Sequence, residues 1–314
     1  MKTKLMMLAA AAAATMPTMA ATQYANGYTW TYQINGDTAE IYNNRDTAVS
    51  PSPSGAVTLP STLGGRPVTS IGSYAFKLCD GLTSVTIPSS VTNIGAYAFY
   101  ACQDMTCVTI PDSVTSIADR GFCYCGGLVS ISVDSENPNY KSVDGLLLTK
   151  DGKTLMKGVN GDVTVPDGVM YIMDGAFAYC DTLTSLTIPS SVTIIGSSFT
   201  FLSCDGLTNV TISANSRLTS IESGLFSSCR RLVSVTIPDS VLTIGSGAFS
   251  GCHASLFDTT TFLGVKLVDG WAVGNTGGLS GDLNLTGIRG IGASAFDGCN
   301  ELTSVTIPDG VKSI

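Results

Sequence analysis

The sequence predicts a solenoid of the α/β class, mainly β. It should carry a parallel sheet of one short strand per 23-residue coil, an N-terminal β-hairpin cap and two β-hairpin insertions. Three observations predict it. First, the segment 71–93, I-G-x-x-A-F-x-x-C-x-x-L-x-S-V-T-I-P-x-S-V-x-x, recurs whole or in part eight times. Self-similarity at a fixed period marks a stacked-repeat fold. Second, the leading isoleucines Ile71, Ile94, Ile117, Ile172, Ile195, Ile221, Ile244 and Ile291 are mostly 23 residues apart, and Ile314 opens a ninth unit. Third, 44% of the 314 residues are hydrophobic and only 13% charged, so one elongated domain with a continuous core is affordable.

Each unit makes physical sense as one turn of a coil. Leu82, Val85 and Ile87 alternate as in a short strand. Pro88 cannot donate to a ladder, so the strand stops there. Val91 and Ile94 bring the chain inward again. Gly72, Gly95, Gly196, Gly245 and Gly292 allow a turn that a side chain would obstruct. Ala-Phe-x-x-Cys reads as a helical turn whose aromatic fills the interior. Those aromatics are Phe76, Phe99, Phe122, Phe177, Phe199, Phe226, Phe249 and Phe296. No single unit buries its own apolar face, so neighbours must stack, at a strand spacing of about 4.8 Å.

The unit L-x-x-V-x-I-P-x-S-V-x-x-I-G-x-x-A-F-x-x-C resembles the BspA-like, treponemal-type leucine-rich repeat. The resemblance covers residues 71–314 apart from the insertions. It implies a leucine-rich-repeat solenoid in a secreted or surface-attached bacterial protein used in binding or adhesion. It carries no catalytic residue, cofactor or metal ligand.

In chain order, residues 1–21 read as a secretory leader. Lys2 and Lys4 precede the apolar run Leu5 to Ala14, and Thr18-Met19-Ala20 supplies the small residues of a cleavage site near Ala20. The run is too short to cross a bilayer, so no membrane insertion is expected after cleavage. Residues 22–56 read as the cap and its connector. Tyr28, Trp30 and Tyr32 share one strand face, Asn35-Gly36 is a type I′ hairpin signal, and Ala39 and Ile41 belong to the return strand. Trp30 is read as core of this cap, with an aromatic sugar platform as the competing reading. The solenoid then runs over 57–314. Insertion one, about 134–162, carries Asp144-Gly145 and Asp151-Gly152 and reads as a small meander projecting from the stack. Asp134-Ser135-Glu136-Asn137 is acidic but lacks the ligand spacing of a calcium loop. Insertion two, about 254–282, carries a hairpin at Asp269-Gly270. Insertions often mark a binding face, so Trp271 is a candidate ligand contact, against the alternative that it packs its own hairpin. No terminal cap follows Ile314, so a shortened chain or end-to-end association of otherwise monomeric chains is expected.

Eight of ten cysteines share one repeat position and form a ladder of free structural thiols. Cys107 and Cys123 lie off it, and a bridge Cys102–Cys107 or Cys123–Cys125 is a minor alternative. The single histidine, His253, has no nucleophile or elbow motif beside it. The outward strand positions form a second candidate contact surface: Ser84, Thr86, Thr109, Ser185, Thr187, Asn209, Thr211, Ser234 and Thr236. Ladder chemistry alone also explains such hydroxyls. Without the leader, 14 basic residues face 24 acidic ones, which disfavours nucleic acid. The expected function is a non-catalytic scaffold binding an extracellular protein or glycan. The alternative is a spacer within a larger surface protein.

Overall fold

A computed structural model describes residues 20–311 except 45, 197 and 198. The leader expected over 1–21 thus lies, but for its last two residues, outside the described residues, as does Ile314. The chain is a stack of coils with a main apolar core from Trp30 to Trp271 and a smaller one around Val265, Ala272, Leu285 and Ile291 in the last coils. Among the described residues the one helical segment is the 3-10 turn Ala254–Leu256.

Each coil has three sides. The first is the expected strand. Gly55–Thr58, Leu82–Thr86, Cys107–Ile110 and Ser130–Val133 form one parallel sheet, in which Val85 faces Val108 and Val108 faces Ile131. Gly161–Thr164, Leu183–Ile188, Asn209–Ile212 and Ser234–Thr236 form a second. The next side corrects the expectation of one strand per coil. The leading isoleucine and the residue before it form a second short parallel strand, as where Ser70 and Ile71 face Asn93 and Ile94. The proline turn brings the chain round only far enough for these two residues to align with their neighbours.

The last side corrects the helical turn. Ala-Phe-x-x-Cys runs as consecutive tight turns with left-handed residues at the third and seventh places after the leading isoleucine. In the first coil these are Tyr74 (φ 61°) and Leu78 (φ 58°). Alternate amides take different partners. Ala75, Lys77 and Cys79 bond back to Gly72, Tyr74 and Phe76, whereas Tyr74, Phe76 and Leu78 bond across to Ala96, Ala98 and Tyr100 of the next coil. A helix would spend all these donors within itself, leaving the coils unlinked here. The backbone need is therefore met between coils.

Inside, the phenylalanines stack. Phe76, Phe99 and Phe122 have centroids 5.0 and 5.2 Å apart. Phe177, Phe201, Phe226 and Phe249 follow at 5.3, 5.2 and 5.7 Å. The fifth aromatic is thus Phe201, not Phe199, which is 45% exposed. That coil has one extra residue between Ile195 and Cys204, and the three-residue step from Phe to Cys is what the packing preserves. Beside this file runs the thiol ladder. The Sγ atoms of Cys102, Cys125, Cys204, Cys229 and Cys252 donate to the carbonyl of the phenylalanine one coil earlier, at 3.0–3.2 Å. All ten cysteines are free, so neither minor bridge forms. Burial pushes the Cys79 thiol up to about 12 and raises Cys180, which keeps them as unreactive thiols. Cys107 alone is exposed. A maleimide added to the native protein is expected to label Cys107 long before the buried ladder thiols. Equal labelling rates, read by peptide mass mapping, would contradict the ladder.

At the start, β1 (Ala21–Ala25), β2 (Tyr28–Asn35) and β3 (Thr38–Ile41) form an antiparallel meander, and β3 then pairs parallel with the strand Arg66–Ile71. Trp30 is fully buried, donates Nε1–H to the Ala25 carbonyl at 2.8 Å and closes the file by an edge contact with Phe76. The turn between β2 and β3 is Gly36-Asp37, with only Gly36 left-handed (φ 63°), rather than the expected type I′ turn at Asn35-Gly36. The type I′ Asn-Gly turn is one hairpin earlier, at Asn26-Gly27 (φ 52° and 86°), where the sequence reading placed no strand pair.

Both insertions belong to the stack, the first instead of projecting from it as expected. In the first, Tyr140–Val143, Leu146–Thr149 and Thr154–Lys157 form the expected meander, but its last strand pairs parallel with Tyr171–Ile172. Leu155 thereby stands where a leading isoleucine would, and Leu146, Leu147 and Leu148 are buried. Asn137, fully buried, bonds the carbonyls of Pro111 and Val114 and the amides of Asn139 and Tyr140, a structural role for the acidic stretch. In the second, Val265–Val268 and Trp271–Asn275 make the expected hairpin and Ala272 takes the isoleucine place opposite Ile291. After each insertion an aspartate fastens the next coil. Asp162 accepts from Thr184 and Ser185, and Asp282 from Thr303 and Ser304.

Candidate functional site

The side chains that leave the tight-turn side build an aromatic ledge on the first four regular coils. Tyr74, Tyr97 and Arg120 occupy the third place after Ile71, Ile94 and Ile117. Tyr124 and Tyr179 occupy the seventh place after Ile117 and Ile172, and Tyr100 the sixth after Ile94. Tyr74 and Tyr97 stack at 5.1 Å, 4° from parallel. Tyr100 stands edge-on to both, at 6.3 and 5.7 Å. Tyr124 continues from Tyr100 at 5.2 Å, and Tyr179 from Tyr124 at 4.6 Å. All five rings are half-buried.

Backbone conformation makes this choice of residues unusual. The third and seventh places require a left-handed φ near 60° in coil after coil. Later coils fill them with Gly224 and Ser228, Gly247 and Gly251, and Ser294 and Gly298. A bulky side chain there costs about 1–2 kcal/mol per residue. The early coils nevertheless carry Tyr74, Leu78, Tyr97, Arg120, Tyr124 and Tyr179 in that conformation. Strained residues that cluster on one surface point to a role for their side chains.

Two cations border the rings. Arg120 donates to the Tyr97 hydroxyl at 2.9 Å and to Asp174 at 2.6 Å, which holds the guanidinium in place across coils. Lys77 lies over the Tyr74 ring, 5.9 Å from its centroid, and joins no ion pair among the described residues. Beside the rings is a recess of about 350 Å³ lined by Tyr74, Lys77, Tyr97, Tyr100, Arg120 and Tyr124 together with Cys123, Gly175 and Phe199. Desolvation, with the neighbouring Cys123 thiol, raises the Tyr100 and Tyr124 phenols above their ordinary range, so both stay protonated donors.

The residues singled out from the sequence fall elsewhere. Ser84, Thr86, Thr109, Ser185, Thr187, Asn209, Thr211, Ser234 and Thr236 do lie outward on the strand side, in register from coil to coil. Insertion one divides them between two sheets. Trp271 is only 4% exposed and its ring lies on Gly290 of the adjacent parallel strand, so the indole packs against the next coil. Its Nε1–H is buried without a hydrogen-bond partner among the described residues. His253 is exposed, and its Nδ1 accepts from the Ser255 amide, capping the 3-10 turn. Sequence reasoning missed the ledge because its tyrosines fall at three different places in the repeat. The available signal was a tyrosine where other coils place glycine or serine.

Comparison with known proteins bears on the repeat. The family model described as BspA type Leucine rich repeat region matches six copies over residues 56–143, 159–263 and 282–314. The intervals between these stretches coincide with the two hairpins. No curated protein matches significantly. Among solved structures, a leucine-rich repeat protein from Bacteroides ovatus shares 23% identity at a TM-score of 0.45, covering 91% of this chain and 76% of its own. A leucine rich cell surface protein from Faecalibacterium prausnitzii shares 21% at 0.42, covering 91% and 94%. The leucine rich repeat protein of T. pallidum shares 26% at 0.41, covering 74% and 90%.

Proposed function

Because the chain belongs to the BspA-type leucine-rich repeat family, we propose that it is a non-catalytic binding and adhesion scaffold, secreted or held at the bacterial surface. The ledge is its principal contact surface. The observation that carries this reading is the run of tyrosines held in left-handed backbone where later coils place glycine or serine. Half-buried tyrosines with a fixed arginine also have the composition of binding hot spots, large contact area at little cost in side-chain freedom. The leader pattern at the N-terminus supports export. The outward hydroxyl files add a wide polar surface suited to weak, repeated contacts.

The test is an array of extracellular proteins and glycans probed with the mature chain and with a Tyr97→Asn/Tyr124→Asn variant. The expected result is at least one specific partner that the variant loses by ten-fold or more. A mature chain that is folded and finds no partner would favour the spacer reading.

A further inference from the structure

We propose that the recess in the ledge takes an acidic carbohydrate, its ring stacked on tyrosine and its carboxylate on Lys77. This rests on reading the ledge as the contact surface, and adds the chemistry of what fills it.

Charge is the first argument. The chain is acidic overall, at −8, yet among the described residues two cations and no carboxylate line this recess. Arg120 is already engaged by Tyr97 and Asp174. Among the described residues, the Lys77 ammonium has the face of Tyr74 and no ion-pair partner. An ammonium in such a place offers three donors to an incoming anion. A cationic ligand, which aromatic clusters otherwise favour, would meet Lys77 and Arg120 at close range and is repelled.

The second argument is shape. The recess, about 350 Å³, lies at the lower end of small-ligand sites. It is bounded by rings at several angles. A sugar ring presents a C–H face to such rings while its edge hydroxyls reach the phenol groups, which combine an apolar body with a polar tip.

The third argument concerns backbone. Extended peptides commonly gain affinity by adding to a sheet edge or lying along a groove. The first two coils of the ledge offer no such edge. Their amides are spent within the tight turns or across to the next coil, as with Phe76 to Ala98 and Leu78 to Tyr100. Against those coils an acidic peptide would have to bind through side chains alone.

The experiment is calorimetry of the mature chain with five probes. These are an oligogalacturonate, sialyllactose, the methyl ester of each, and hexaglutamate as the peptide control. The expected result is binding of at least one free acid. Its methyl ester should bind at least ten-fold more weakly, because a charge-assisted hydrogen bond is lost, and hexaglutamate should not bind. Lys77→Gln, shown folded by circular dichroism, should lose the same factor for the acid and nothing for the ester. Equal affinity for acid and ester, binding of hexaglutamate in preference to the sugars, or no binding of any probe would overturn the acidic-carbohydrate assignment. The two readings separate on the tyrosines. A neutral sugar or protein bound by the mature chain and lost in Tyr124→Asn overturns the ligand class and keeps the ledge. Acid binding that survives Tyr97→Asn/Tyr124→Asn overturns the ledge as the site.

Discussion

Phe201→Ala is expected to destabilise the protein by about 3–5 kcal/mol, whereas Phe199→Ala should stay within about 0.5 kcal/mol. The two aromatics are separated by one residue, and the repeat as written in the sequence favours the wrong one. Phe201 is fully buried between Phe177 and Phe226, with ring centroids 5.3 and 5.2 Å away. Its loss leaves a hole on both sides, and the backbone cannot close it because Phe177 and Phe226 are tied to neighbouring coils through their amides. Phe199 is 45% exposed. Urea denaturation followed by circular dichroism distinguishes them. Because each coil contacts only its neighbours, the Phe201 variant should also broaden the transition or divide it in two. Equal effects from the two variants would mean that the aromatic file is not what holds these coils together.

Trp271→Ala is expected to cost a similar amount, about 3–5 kcal/mol, and to leave ligand binding unchanged. The indole lies across Gly290, where an added Cβ would come within 2.2 Å of the ring. Glycine at 290 is thus the complement of tryptophan at 271, in register on adjacent parallel strands. Trp271→Phe should be markedly milder. It keeps most of the buried area and removes an N–H that has no hydrogen-bond partner among the described residues, whose burial is itself unfavourable. Loss of binding without loss of stability in Trp271→Ala would restore the indole as a ligand contact.

The repeat was legible because the residues that recur are those the stack cannot change. Buried positions such as Val85, Ile94 and Cys102 face the same environment in every coil, so the same side chain returns. The Asp-Gly turns at 144–145 and 269–270 were legible for a similar reason, since each requires left-handed backbone at both residues. The second strand file was not legible. Two residues are too few to show an alternation, and Asn93–Ile94 becomes a strand only because Ser70 and Ile71 lie beside it. The joining of the insertions to the core was hidden in the same way. Leu155 and Ala272 take the isoleucine place without any of the surrounding repeat. The ledge was hidden for the opposite reason. Tyr74, Tyr97, Tyr100, Tyr124 and Tyr179 do not recur at one place, so a reading built on sameness passes over them. Departures from the repeat locate the candidate site, and adherence to it locates the core.

The most direct measurement combines stability and affinity in one variant, Tyr97→Asn/Tyr124→Asn. Asparagine tolerates the left-handed conformation that both tyrosines hold. Relief of that strain should offset the lost ring contacts, worth about 0.5–1.5 kcal/mol per pair. The predicted result is a denaturation midpoint within about 1 kcal/mol of the parent, together with loss of partner binding. A variant destabilised as severely as Phe201→Ala that still binds its partner would contradict the account, because the tyrosines would then be structure and not contact surface.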